Sequence, residues 1–248
     1  LRHQKTPIEQ PITKSKNKIT MQPDENKPQQ HYHHGNVKES LIDVAVKLID
    51  SNEVELLSLR SLAKEVGITP SAVYNHFPNK DALMLEIKIR LYDEFDKFFE
   101  SRYNHTNDPE QDLLEVCIVY YHFSQDYPSR FQFLFSYIFP MEWSNPELVE
   151  LSCRTLVRTR KLILEIYDKY KVPVSDEKVV NTSLLVWAQL HGLVALKKSG
   201  SIKAAVAFQG WPEACSLVNH EQAEGLIRNH LRMTVNAILN TLQSEGHR

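Results

Sequence analysis

Glycine and cysteine are scarce in this sequence, with seven and three among 248 residues. The cysteines, Cys117, Cys153 and Cys215, are few, odd in number and far apart. That excludes a disulfide scaffold and fits a reducing cytosol. No Walker loop, dinucleotide fingerprint or H-E-x-x-H helix is present. No apolar run approaches the roughly 20 residues that cross a bilayer. The first residues are polar and of mixed charge, unlike a signal peptide. The expectation is a cytoplasmic protein with no cofactor and no membrane partner. Bulk positive charge is missing too: the formal net charge is -2. Residues 1–30 carry six Lys or Arg against three acids, and residues 31–90 carry seven against eight. Any contact with phosphates must therefore come from a few placed side chains and from backbone N–H groups at helix starts.

No catalytic set can be assembled. Ser216, His220 and Glu221 are close in sequence but fall in different turns of a loop-to-helix junction. His122 and Asp126 lie four apart without a third metal ligand. The expectation is no enzyme and no metal site, including at His31, His33 and His34, which lack a further ligand at suitable spacing.

What is present is helical patterning over an apolar fraction of 42%. Residues 1–30, rich in Pro, Gln, Lys and Asn, read as a disordered tail, with a weak basic DNA-touching arm as the alternative. Leu41, Val44, Ala45, Leu48 and Ile49 make one apolar face between about Val37 and Ser51. Ser58 is placed to cap a helix carrying Leu59, Leu62, Ala63 and Val66, which Gly67 ends. Thr69 caps a short helix from Pro70 to His76, with Pro70 where a missing N–H does no harm. Asn79 caps a longer one from Lys80 to about Tyr103, with Leu83, Ile87, Leu91, Phe95 and Phe98 on one face. Further helices are predicted over 109–125, 128–138, 146–170, 176–199 and 219–243, and no set of strands is found. The predicted class is all-α, with a helix-turn-helix domain over 31–80 and a larger helical domain over 81–248.

The two short helices around Gly67 are too short to stand alone in water. Packed on the first helix they form a tri-helical unit whose second short helix can enter the major groove. Ile68 and Val73 then face inward, with Phe77 read as core. Thr69, Pro70, Ser71, Ala72, Asn75 and His76 are left mostly outward. Ser71 can bond a base edge or a phosphate, Ala72 can touch a thymine methyl, and Asn75 can pair with adenine or bond a phosphate. Tyr74 can lean on the helix and reach a phosphate, Lys80 points a charge at the backbone from the next helix start, and Arg60 is a further phosphate candidate.

The stretch LRSLAKEVGITPSAVYNHFPNKDAL, with its Val-Tyr-x-His-Phe-x-x-Lys-x-x-Leu ending from Val73 to Leu83, resembles the N-terminal domain of the TetR-type transcriptional regulators over Ile42–Leu85. The Lys-Leu-Ile-Asp pattern of the preceding helix also fits. The resemblance implies an all-helical homodimer with a DNA-binding domain and a larger ligand-responsive one. It also implies phosphate contacts from Tyr74 and Lys80, and a groove face of Thr69, Ser71, Ala72 and Asn75. Pro70 departs from the pattern: such regulators often carry a longer polar side chain there, so some specificity must arise elsewhere. Glu39 and Asp43 make the first helix acidic and should face away from DNA.

Between Tyr120 and Trp143 aromatics are dense, including Tyr120, Tyr121, Phe131, Phe135, Phe139 and Trp143. They fit an apolar pocket with a few polar points or a filled core. Trp187 and His191 share one helical face, and Gly192 lets another helix approach. This W-x-x-x-H-G run resembles a C-terminal domain type of some TetR-type regulators, named after those residues. It places Trp187 and His191 at the inner wall of a ligand cavity, with a satisfied core histidine as the alternative. Leu184, Leu185, Leu190, Leu193, Val194, Leu226, Ile227, Leu231, Val235, Ile238 and Leu242 give the last two long helices apolar faces. Those helices could pair across a two-fold axis as a four-helix bundle. A dimer sets two reading helices about 34–36 Å apart on a palindromic operator. The expected partners are thus an operator duplex, a second copy and an unidentified small-molecule effector that releases DNA. The competing reading is a helical interaction module without sequence-specific DNA binding.

Overall fold

The computed structural model describes residues 36–136, 138, 145–217 and 219–245. The expected tail, the His31–His34 cluster, Phe139 and Trp143 lie outside the described residues. Ten α-helices and no strand occur among those described: α1 Val37–Asp50, α2 Leu59–Val66, α3 Pro70–Tyr74, α4 Lys80–Arg102, α5 Pro109–Asp126, α6 Pro128–Ser136, α7 Pro146–Lys169, α8 Asp176–Ser199, α9 Ser201–Gln209 and α10 His220–Glu245. The all-α expectation holds. α9 was not anticipated, and the polar segment after α1 contains a short 3-10 turn, Val54–Leu56.

Local chemistry sets the boundaries. Ser58 and Ser61 form a reciprocal capping box at the start of α2, with Ser61 N–H donating to Ser58 Oγ at 3.1 Å and Ser58 N–H to Ser61 Oγ at 3.0 Å. Gly67 ends α2 in the left-handed region at φ 78°, where a Cβ meets the backbone unfavourably. Thr69 Oγ1 accepts from Ala72 N–H at 3.3 Å, and Asn79 Oδ1 accepts from Ala82 N–H at 2.8 Å. Asn145 and Ser175 cap α7 and α8 in the same way. α3 is shorter than expected: it ends at Tyr74, and Asn75 and His76 occupy the turn after it. Pro78 cannot continue a helix, and the residues before it yield to that constraint.

Leu41, Ala45 and Ile49 of α1, Leu62 of α2 and Val73 of α3 are fully buried, with Ile68 half-buried against them. α4 packs against α1 as well as against α5, α6 and α7, so one 23-residue helix touches both the helix-turn-helix and the larger bundle. Lys38 of α1 pairs with Glu86 of α4 at 2.7 Å, and Arg90 of α4 reaches Glu39 at 3.3 Å and Asp43 at 3.7 Å. The acids of α1 are therefore held against α4.

α8 holds an eighteen-residue window apolar enough, by length and composition, to cross a membrane. The window passes on mean hydropathy although Asn181, Thr182, Ser183, Gln189 and His191 interrupt the apolar run. Its Val179, Ser183, Val186, Leu190 and Val194 are buried in the bundle at helical spacing.

Gly67→Ala should lower the free energy of unfolding by about 1 kcal/mol, because the substitution keeps the space but strains φ. A urea titration measures this. An unchanged midpoint would mean that the turn relaxes out of the left-handed region.

Candidate DNA-facing helix and an aromatic cavity

Two places gather the residues singled out in the sequence. The first is the outer face of α2 and α3. Arg60, Thr69, Pro70, Ser71, Asn75, His76 and Lys80 are exposed, Ala72 is half-buried, and Tyr74 is 51% exposed. Beneath them Val73 and Phe77 are buried and fix the orientation of the short helix. Thr69 and Ser71 hydroxyls lie 3.0 Å apart, so one of Ser71's hydrogen-bonding positions is engaged before any ligand arrives. Lys64, exposed on α2, adds a positive charge that the sequence reading did not single out. Its position in the last turn of a short amphipathic helix was the available signal.

The second place is a cavity of about 330 Å³ between α4, α5, α6, α7 and α8. Tyr92 and Phe95 line it from α4, Tyr120 from α5, Leu134 and Phe135 from α6, Ser152, Cys153, Thr155 and Leu156 from α7, and Trp187 from α8, with Ile138 at one edge. The rings interlock edge to face: Tyr92 and Phe135 centroids are 6.1 Å apart, Phe95 and Tyr120 are 6.2 Å apart. Such pairs prefer this geometry because the positive ring edge meets the negative face.

Of the pocket residues proposed from sequence, Tyr120, Phe135 and Trp187 form the wall. Phe131 and His191 stand behind it, stacked with centroids 5.6 Å apart. Tyr120 Oη and His191 Nδ1 are 2.8 Å apart. Burial pushes the Tyr120 hydroxyl well above the ordinary phenol range, offset in part by a hydrogen bond from the Trp187 side chain. Tyr121 points elsewhere: successive helical residues diverge by about 100°. Its hydroxyl accepts from Lys197 Nζ at 2.5 Å, and its ring meets His220. Burial and the negative charge of Glu224 push that hydroxyl up to about 12. The α4 and α7 contributions were not anticipated, because no motif marks them. They arise from which helix faces meet in space.

A clamp connects the two places. Arg130 on α6 bonds Asp50 at the end of α1 through two parallel contacts of 2.7 Å, and Glu94 of α4 through a third of 2.7 Å. On the same helix Leu134 and Phe135 line the cavity. Lys88 of α4, 1% exposed, donates to the Leu134 carbonyl at 3.2 Å.

A second, apolar groove of about 400 Å³ lies between α8 and α10, over Cys117 of α5. Leu184, Leu185 and Leu196 of α8 and Leu226 and Met233 of α10 are exposed on or near it. A Cβ added at Gly192 or Gly225 would meet nothing within 4 Å. Among the described residues, open space therefore lies before Gly192. The other titratable residues weighed from sequence form no catalytic set: Ser216 donates to Gln222 at 3.1 Å, and His122 pairs with Glu224 at 2.8 Å.

Comparison with known proteins follows these two regions. Residues 41–87 match the family described as bacterial regulatory proteins, tetR family, and residues 113–209 match the tetracyclin repressor-like C-terminal domain. The second match spans the Trp187, His191 and Gly192 helix. The chain is similar to the nucleoid occlusion factor SlmA of Vibrio cholerae, 29% identical over 163 residues, 60% of this chain and 79% of that protein. SlmA of Shewanella baltica is 32% identical over 82 residues, 33% of this chain and 40% of that protein. Among solved structures, a Rhodococcus sp. RHA1 protein of unknown function superposes with a TM-score of 0.60 at 19% identity, covering 84% of this chain and 98% of its own. A TetR/AcrR-family regulator from Thermobifida fusca gives 0.54 at 16% identity, covering 82% and 98%. These two show likeness of fold.

Burial disfavours the His191 imidazolium and lowers its pKa below 6.5. The unfolded chain then binds the proton more readily, so this contribution to stability is complete above about pH 6.5 and is lost as pH falls through the folded value. His230 shifts in the same direction for the same reason. The melting temperature of His191→Gln should consequently fall less than that of the parent between about pH 7 and about pH 5. Parallel slopes in calorimetry would show that His191 takes up its proton equally in both states.

Proposed function

Because the chain belongs to the bacterial TetR family of regulatory proteins, and is a DNA-binding regulator and not an enzyme, we propose that it is a cytoplasmic, ligand-responsive repressor. It binds a palindromic operator as a homodimer and releases it when a small molecule enters the aromatic cavity. The observation that carries the reading is the Arg130 clamp, since α6 both lines the cavity and grips α1. Two linked sites and two global states are what such a mechanism requires. A ligand that moves Leu134 and Phe135 moves Arg130, and with it the angle at which α1 carries α2 and α3.

In this reading residues 31–80 form the DNA-binding domain and 81–248 the effector and dimer domain. α3 lies in the major groove with Thr69, Pro70, Ser71 and Ala72 nearest the bases. Asn75 and His76 reach from the turn behind it, and Tyr74, Lys80 and Arg60 hold phosphates. Lys64, exposed one helix back, joins the phosphate contacts. The second copy docks on α8 and α10. The support is the exposed leucines there, the groove they flank, and the two helix-interior glycines with open space before them. A mid-helix glycine costs about 1 kcal/mol against alanine, and a close approach by a partner helix gives that cost a purpose.

Gel shifts with the chain's own upstream DNA test the docking. Lys80→Ala should weaken binding evenly across sequences and reduce the slope of log affinity against log salt by about 1 per subunit. With Tyr74→Ala added, binding should be lost while the dimer persists. Unchanged operator binding in the double variant would refute the docking, and leave an interaction module as the better reading. For the interface, Leu185→Glu with Leu226→Glu should convert a dimer to a monomer in light scattering. A dimer that tolerates both charges must be built on another face.

A further inference from the structure

Helix α9 is mostly apolar and yet has no buried residue. Successive helical residues turn by about 100°, which divides it into two faces. Ile202, Ala205 and Val206 share one face and are half-buried, and Ile202 packs on the core. Ala204, Ala207 and Phe208 share the other face and are exposed. Phe208 is 83% exposed, and Trp211, which follows the left-handed Gly210 at the helix end, is 53% exposed. Lys203, at the border between the faces, is the helix's one charged side chain. Seven of the thirteen large hydrophobic side chains exposed among the described residues lie on α8, on α10 or between Ser201 and Trp211. Apolar exposure gathered in one region of a molecule marks a contact surface.

Resting on the reading that a second copy docks on α8 and α10, we propose that the part of that copy seated in the groove is its α9 arm, Ser201–Trp211, with Phe208 leading. Groove and arm fit in length. The nine residues of α9 rise about 13 Å, and the groove follows α8 from Val186 to Leu196, about 15 Å. They fit in shape. Gly192 opens the groove, with nothing within 4 Å of a Cβ placed there, and Ala204 and Ala207 give the arm a low face on which two backbones approach closely. They fit in chemistry. No Asp, Glu, Lys or Arg is among the described residues lining the groove, so the uncharged outer face of α9 enters it with no ion to desolvate.

Symmetry selects the occupant. The chain carries a protruding apolar arm and an open apolar groove, and no described residue covers the arm or fills the groove. A two-fold axis satisfies both at once: each copy gives one arm and receives one, and the assembly closes at two. A different partner would fill one feature and leave the other in water.

A dilution series of the full chain in the analytical ultracentrifuge tests this. Phe208→Ser should raise the dimer dissociation constant at least about a hundredfold, since each dimer buries the ring twice and one buried ring contributes about tenfold or more. The position is exposed, so the monomer should melt as the parent does. Gly192→Leu, whose Cβ meets nothing in its own chain, fills the groove and should weaken the dimer comparably. Photo-crosslinking reads the contact directly. With Phe208 replaced by p-benzoylphenylalanine, and isotope-labelled chains mixed with unlabelled ones, irradiation should join position 208 to peptides spanning 186–196 or 226–231 of the opposite copy. If Leu185→Glu with Leu226→Glu dissociates the dimer while Phe208→Ser with Trp211→Ser leaves it intact, the arm is overturned and the α8–α10 interface stands. Cross-links confined to one chain, or to peptides outside the groove, overturn the arm in the same way. A parent chain that stays monomeric up to about 100 μM overturns the arm and the dimer together.

Discussion

The three-way ion pair of Arg130 holds the parts of this molecule in register. Its guanidinium forks onto Asp50, the last residue of α1, and reaches Glu94 on α4 with a third bond. A planar guanidinium with five donors is the only side chain that can serve two carboxylates on different helices in this way. The group is about one-fifth exposed, so the bonds are screened less than an open surface pair, yet ordinary solvation still bounds their worth. Their importance is geometric. Without Arg130, Asp50 and Glu94 lose the positive charge they share, and α6 keeps only the Ser129 hydroxyl contact to the Asp50 carbonyl, at 3.5 Å, as a polar attachment to α1. Arg90 repeats the pattern one turn earlier on α4, gathering Glu39, Asp43 and Glu94.

This arrangement explains the acidic balance of a DNA-binding segment. Glu39, Asp43 and Asp50 of α1, with Glu86 and Glu94 of α4, are paired with Lys38, Arg90 and Arg130. Their negative charge is spent on joining the helix-turn-helix to the bundle. The outer face of α2 and α3 can then be small and weakly charged, with Arg60, Lys64 and Lys80 exposed around a helix whose own residues are neutral. Net charge averaged over the segment mixes the two sets.

The helical architecture was legible in the sequence because many of the boundaries carry their own local chemistry. Ser58, Thr69, Asn79, Asn145 and Ser175 cap helices within one residue of where periodicity starts, and Gly67 and Gly200 end them at positive φ. α9 was missed because Ser201–Gln209 has no buried residue, so apolar periodicity had nothing to register. The aromatic cavity was legible only in part. Tyr120, Phe135 and Trp187 stood out by residue type. Tyr92, Thr155 and Leu156 belong to it only because α4 and α7 happen to cross there. Tyr121, a neighbour of Tyr120 in sequence, is separated from the cavity by helical geometry alone.

The same geometry divides the larger bundle into two apolar spaces with different chemistry. α8 contributes Trp187 to the aromatic cavity and Leu190, Gly192, Leu193 and Leu196 to the aliphatic groove. His191 falls between them, its Nδ1 turned to Tyr120. The cavity side is lined by rings with a polar point at one end, which suits selection of a small guest by shape and hydrogen bonding. The groove side is aliphatic, flanked by exposed leucines and broken by a glycine that leaves room for a backbone. Its one buried polar atom without a partner among the described residues is His230 Nε2. Aliphatic surface with close backbone access suits another helix, and a buried nitrogen there gains most from a partner that arrives with that helix. In the proposed reading one helix serves recognition on one face and assembly on the other, so that a guest moving Trp187 would also move the surface offered to a second copy.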